Sequence, residues 1–234
     1  MVVVTLNGQI GAGGPEVGLR VSHILKADYV DRLILAEAAK RIGATVQAVV
    51  GKEQEVLRFK DHISRFLQNM LERSAMSGVG GEPYFGPGID VILSRDYQEQ
   101  LEEEPITQSH ELDDKRFIEV TSAVIKDLAQ GGNVVIVGRG GNIILKDTPN
   151  VLHVDVIAPK DHRIRTIMER EHLEANEAEK FVDQQEEARN AFFNRFFKTN
   201  PLDATLYHMI LNMADLRLDT AAQIVAHAAQ DLDR

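Results

Sequence analysis

The chain has no cysteine in its 234 residues. Disulfides, thiolate metal centres and cysteine nucleophiles are therefore excluded. No apolar run approaches the roughly 20 residues of a membrane-spanning helix. Met1 leads straight into a strand-like run rather than a signal sequence, so the expected location is the cytoplasm. Basic charge is also scarce: 26 Lys and Arg against 36 Asp and Glu leave a net charge of −10. Nucleic-acid binding depends on basic surface to displace counterions, so neither nucleic acid nor membrane is an expected partner. A small anion held by a local arginine cluster is still compatible with that balance. The eight histidines are scattered with no paired spacing, which speaks against zinc, and no G-x-S-x-G nucleophile motif occurs. What is present is ordinary globular material, 44% apolar and 26% charged. It suffices for one large α/β domain, or a core domain with an inserted subdomain.

Period and punctuation point to a parallel sheet. Residues 2–7 form a short apolar run suited to a strand buried on both faces. A helix should follow from Pro15, tolerated in a first turn, to about Lys26. "ADYV" reads as a second strand, and residues 31–42 as an Ala- and Leu-rich helix stopped by Gly43. Thr45 could cap the next helix. Val56, Phe59, Ile63, Phe66, Leu67, Met70 and Leu71 form a helical stripe that could serve a homodimer as readily as a core. The Gly- and Pro-rich 77–90 reads as a loop or lid, and "EQLEEEP" as a solvated acidic face. Another helix is expected over 113–130. "NVVIVG", "VLHVDVIAP" and "YHMILNM" (207–213) supply three more strands, each followed by helical pattern. Five short strands interleaved with helices imply a doubly wound sheet. The stretch 44–130 reads as a helical insertion, with 1–43 and 131–234 as the core and a lid at about 160–200.

Four glycines (8, 11, 13 and 14) crowd "GQIGAGG" between the first strand and the first helix. One tight turn does not require so many. Backbone N–H groups there would face a ligand, and the helix N-terminus would add positive potential. Two phosphate-binding patterns compete. In a dinucleotide fingerprint Gly11 and Gly13 fit, but Glu16 stands at the third glycine. In a mononucleotide P-loop Gly8 and Gly13 fit, but Gly14 and Pro15 miss the Lys and Ser/Thr. Further along, "VIVGRGG" places Arg139 directly after a buried strand, where open α/β sheets bind ligands. Arg163, Arg165, Arg170 and Arg189 follow the next strand. For Arg165 a helical ion pair with Glu169 is the preferred reading. His153 and Asp155 share a strand face and read as a structural pair. Phe192, Phe193, Phe196 and Phe197 recur at helical spacing, usually a sign of core packing.

With "GAGG", "YVDR", "VIVGRG", "APKDHRIRTIMERE" and "YHMILNM" in this order, the chain resembles the cytidylate kinase-like family of the P-loop kinase superfamily. The resemblance spans the sheet-forming parts of nearly the whole chain and is weakest over 44–130. It implies a three-layer fold with a five-stranded parallel sheet, a helical monophosphate-binding insertion and an arginine-bearing lid. It also implies transfer of the γ-phosphoryl group of ATP, with Mg²⁺, to a nucleoside monophosphate of the (d)CMP type. By the same resemblance Gly8, Gly11, Ala12, Gly13 and Gly14 would bind ATP. Asp31, Arg32 and Arg139 would bind the acceptor, and Arg163, Arg170 and Arg189 would close over the transferring group.

The departures from the superfamily pattern are equally specific. Gly14 replaces the lysine that reaches the β- and γ-phosphates. Pro15 replaces the hydroxyl residue that helps hold Mg²⁺. Val137 stands where close relatives of the bacterial enzymes place an Asp before "GR", and "EEAR" (186–189) replaces a lid "D-x-x-R". No Mg²⁺ ligand can be named from the sequence. Two readings are thus carried forward: a working kinase, and a catalytically inactive nucleotide-binding, sensor or interaction module on the same fold.

Overall fold

A computed structural model describes residues 2–31 and 108–232, with the backbone alone at 108–117 and 120. Arg32, the helices expected within 32–71, the 77–90 segment and the acidic run at 99–105 lie outside the described residues. Within them run β1 (Val3–Gly8), α1 (Gly14–Leu25), β2 (Asp28–Val30), α2 (Gln108–Gly131), β3 (Val134–Val137) and α3 (Gly141–Ile144). Then come β4 (Val151–Ile157), α4 (Lys160–Glu171), α5 (Ala175–Phe197), a 3₁₀ turn (Ala204–Leu206), β5 (Met209–Asn212) and α6 (Leu218–Leu232). Helix α2 starts earlier than the sequence pattern suggests.

All five strands are parallel, in the order β2-β3-β1-β4-β5. Strand β1 is central, with Leu6 in register with Val137 on one side and Val154 on the other. Its alternation sorts the layers, because successive side chains point to opposite faces. Val4 and Leu6 join Val17 and Val21 of α1 and Val225 of α6 in one core. Val3 joins Val124, Ile125 and Leu128 of α2 in the other. Each fully buried valine contributes about 1.5 kcal/mol or more relative to exposure, so the two apolar faces hold the sheet.

On the α2 side, the C-terminal half of the sheet turns polar. Thr5, Asn7, His153 and Asp155 are all buried there. The phenylalanines of α5 pack as the spacing predicts: Phe192 and Phe193 are buried with Ala188, and Phe196 and Phe197 pack against them. Among the described residues, no helix is long and apolar enough to cross a membrane.

Candidate functional site

The glycine loop leaves β1 at Gly8 and is clamped to β4 at once. The Gln9 N–H donates to Val156 O at 3.0 Å, and the Gln9 side-chain carbonyl accepts the Ala158 N–H at 3.1 Å. Gly11 and Gly13 take φ values of 81° and 87°, a left-handed region that costs other residues strain. A Cβ on Gly11 would also lie 2.6 Å from the Arg163 carbonyl oxygen, so the loop is pressed against the first turn of α4. Gly13 caps α1, and its carbonyl accepts the Val17 N–H at 2.9 Å. The loop thus ends on a helix N-terminus, whose first N–H groups have no intrahelical acceptor. Pro15 removes one of those donors.

Beside it, the turn after β3 runs parallel to the loop. The Gly138 N–H donates to Leu6 O at 2.9 Å, and residues 138, 139 and 140 have φ values of 81°, 53° and 71°. A non-glycine residue such as Arg139 in this region is strained, and such strain gathers at functional sites. The Arg139 side chain is buried, its guanidinium carbon 5.6 Å from the Phe192 ring centroid. Sheet order and strand register therefore bring both phosphate-binding candidates to one edge.

The arginines that follow β4 divide. Arg163 is buried, with Nε donating to Ala158 O at 3.2 Å and Nη1 to Ile10 O at 3.5 Å. Arg189, on α5, donates from Nε and Nη2 to Glu186 Oε1 at 3.1 and 2.8 Å. Arg163 Nη1 lies 3.7 Å from Glu186 Oε2. The latter oxygen accepts the Ile10 N–H of the glycine loop at 3.0 Å. Arg163, Arg189 and the loop therefore meet on one carboxylate. Arg170 is not part of that group: it pairs with Glu171 at 2.6 Å and, more loosely, with Glu16 of α1 at 3.7 Å. Asp31 lies directly after β2.

Two polar groups have places that the sequence reading does not give them. Asp155 is in register with Asn7 of β1, one strand from the loop. It is 1% exposed, and its Oδ1 has no hydrogen-bond partner among the described residues. Burial pushes its carboxyl up to about 7, against the pull of Arg189 and with a further push from Glu186. Tyr207 accepts from the Asn7 amide at 2.8 Å and donates to Pro201 O at 2.7 Å. Burial, followed by the nearby Asp155, pushes its phenol up to about 12. A charged residue within "VLHVDVI" is the signal available for Asp155. His153 does not pair with it: its Nδ1 meets Thr5 Oγ1 at 2.7 Å and its ring stacks on His208.

The residues fit a polyphosphate. Two loop glycines are in the left-handed region, a helix N-terminus points outward, and Arg189 Nη1 is buried with no acceptor among the described residues. Orphaned buried donors are rare and call for an explanation. For Mg²⁺ the usual protein ligands are lacking, since Pro15 and Val137 carry no donor oxygen in their side chains. Among the described residues no group of three or more His, Asp or Glu could hold a metal.

Comparison with known proteins bears on the same residues. The cytidylate kinase-like family matches residues 3–215 of the chain. No protein of curated function matches it. A crystal structure of an uncharacterized protein from Eubacterium ventriosum superposes with a TM-score of 0.63 at 15% identity, covering 98% of this chain and 99% of that one. Shikimate kinase from Bacteroides thetaiotaomicron aligns with a TM-score of 0.44 at 16% identity, over 99% and 97% of the two chains. TT1252 from Thermus thermophilus aligns with a TM-score of 0.46 at 15% identity, over 98% and 97%.

Proposed function

Because the chain belongs to the cytidylate kinase-like family, and its fold is that of the P-loop kinases, we propose that it is an ATP-dependent nucleoside monophosphate kinase of the (d)CMP type. The observation that carries this reading is the meeting of Arg163, Arg189 and the Ile10 N–H on one anionic group at the mouth of the glycine loop. Phosphoryl transfer asks little covalent chemistry of a protein: it needs positioning, and positive charge around the equatorial oxygens. Bound ATP would supply the γ-phosphoryl group. Gly8, Gly11, Ala12, Gly13 and Gly14 would hold its phosphates with backbone donors, as helix N-termini hold anions. Arg139, with Asp31 and Arg32, would hold the acceptor monophosphate. Arg163 and Arg189 would neutralise the transferring group, standing in for the lysine that Gly14 lacks.

A second reading keeps the fold and the anion site without turnover. Gly14, Pro15 and Val137 favour it, since losing one transition-state charge contact costs about 10²–10³ in rate. Titrating the protein with ATP, CMP, dCMP and AMP, with and without Mg²⁺, and following the melting temperature tests binding first. A ligand that prefers the folded state must raise that temperature. Gly13→Val should abolish the ATP response, because a side chain at φ 87° strains the loop and meets Leu218. An unchanged ATP response in the folded variant would refute the P-loop assignment.

A further inference from the structure

Glu186 opens the "EEAR" stretch, and its contacts give it a role that neither the family match nor the glycine pattern assigns. Both of its carboxylate oxygens are engaged. Oε1 takes two N–H groups of Arg189, and Oε2 takes the Ile10 N–H with Arg163 close by. A backbone N–H from a glycine loop together with two guanidinium groups is a donor set suited to a phosphoryl oxyanion. The two oxygens of a carboxylate can present themselves to such donors much as two oxygens of a phosphoryl group do. Two cations face this one carboxylate, while burial raises the neighbouring Asp155 carboxyl to about 7, so that near neutral pH it carries only part of a negative charge. The pocket therefore retains a positive excess, and Arg189 Nη1 has an N–H still to give.

We propose that the Glu186 carboxylate sits in the seat of a phosphoryl group, formed by the Ile10 N–H, Arg163 and Arg189, and that an incoming phosphate must displace it. The inference rests on the proposed reading that the loop and these arginines bind nucleotide phosphates. Glu186 lies three residues before Arg189, one turn away on α5, and its side chain is 16% exposed. A change of rotamer can carry it toward solvent while the arginines stay behind. Displacement makes the two anions competitors: the empty site is held closed by its own carboxylate, and phosphate affinity is lowered by the cost of moving it. A purely structural ion pair tying α5 to the loop predicts the opposite, since removing the carboxylate would then loosen the arginines and weaken binding.

Calorimetric titration of the full chain with ATP, and separately with CMP, distinguishes the two. Glu186→Gln keeps the size and removes the charge. Glu186→Asp keeps the charge but shortens the reach to Ile10, and it serves if the first variant does not fold. Each should bind one of the two nucleotides about tenfold or more tighter than the wild type, and the nucleotide that gains identifies whose phosphate takes the seat. Weaker or unchanged binding of both nucleotides by the variants, with the wild type binding ATP in a Gly13-dependent way, overturns the displacement and leaves the nucleotide reading intact. Binding of neither nucleotide by wild type or variants overturns both.

Discussion

Asp155→Asn should change the pH dependence of stability in a calculable way. The folded protein holds the Asp155 proton to about pH 7, whereas the ordinary value is 3.8. Between these values the folded state binds more protons than the unfolded one, so stability falls as pH rises from about 4 to 7. Three pKa units correspond to a total of about 4 kcal/mol. His153 acts in the opposite sense. Burial, with His208 adding to it, lowers its imidazole from 6.5 to about 4. The unfolded chain therefore takes up a proton that the folded chain refuses, and stability rises by about 3 kcal/mol from pH 4 to 6.5. The two slopes nearly cancel in the wild type across that window. Asn at 155 removes one of them. Urea unfolding at about pH 4.5, 5.5, 6.5 and 8 should show the variant gaining on the wild type at each step, by about 3 kcal/mol in total over that range. Its own stability should climb from about pH 4 to 6.5, where that of the wild type is nearly flat. An offset between the two proteins that does not change with pH would refute the reasoning.

The arginines give two further expectations. Arg139→Lys should weaken monophosphate binding and leave ATP binding nearly intact, because an ammonium cannot reproduce a bidentate fork; calorimetry with CMP and with cytidine checks it, and equal weakening for the phosphate-free nucleoside would contradict the role. Arg189→Ala should lower turnover about 10²-fold or more with little change in ATP affinity, as for a contact made mainly in the transition state. Steady-state rates that survive the change undiminished would remove Arg189 from the mechanism.

The sheet is readable in the sequence because parallel strands buried on both faces appear as unbroken apolar runs. Residues 2–7, "NVVIVG" and "VLHVDVIAP" lie within one or two residues of β1, β3 and β4. The last strand is less well marked. Residues 207–213 read as strand, but β5 spans Met209–Asn212 and alternates between half-buried and exposed. Among the described residues it is an edge strand paired only to β4, with less of the chain drawn into a ladder. The glycine loop and the place of Arg139 just after β3 are readable because both follow from local sequence. The contacts of Glu186 and Asp155 are not, for a physical reason. An acidic residue on a polar helix looks like a solvated face until the fold brings it to Ile10, 176 positions away. A single Asp in an apolar strand shows its environment only when the fold buries it near Glu186 and Arg189. The sequence singles out Arg163, Arg170 and Arg189 alike, but the fold joins Arg163 to Arg189 and sends Arg170 to Glu16.

The most direct test of the account is ADP release by the wild-type protein given ATP, Mg²⁺ and CMP or dCMP. A working nucleoside monophosphate kinase releases ADP in step with formation of the diphosphate, and only when the acceptor is present. Absence of ADP release with CMP, dCMP and AMP, from protein that binds ATP tightly, would contradict the kinase reading and establish the site as one that holds nucleotides without converting them.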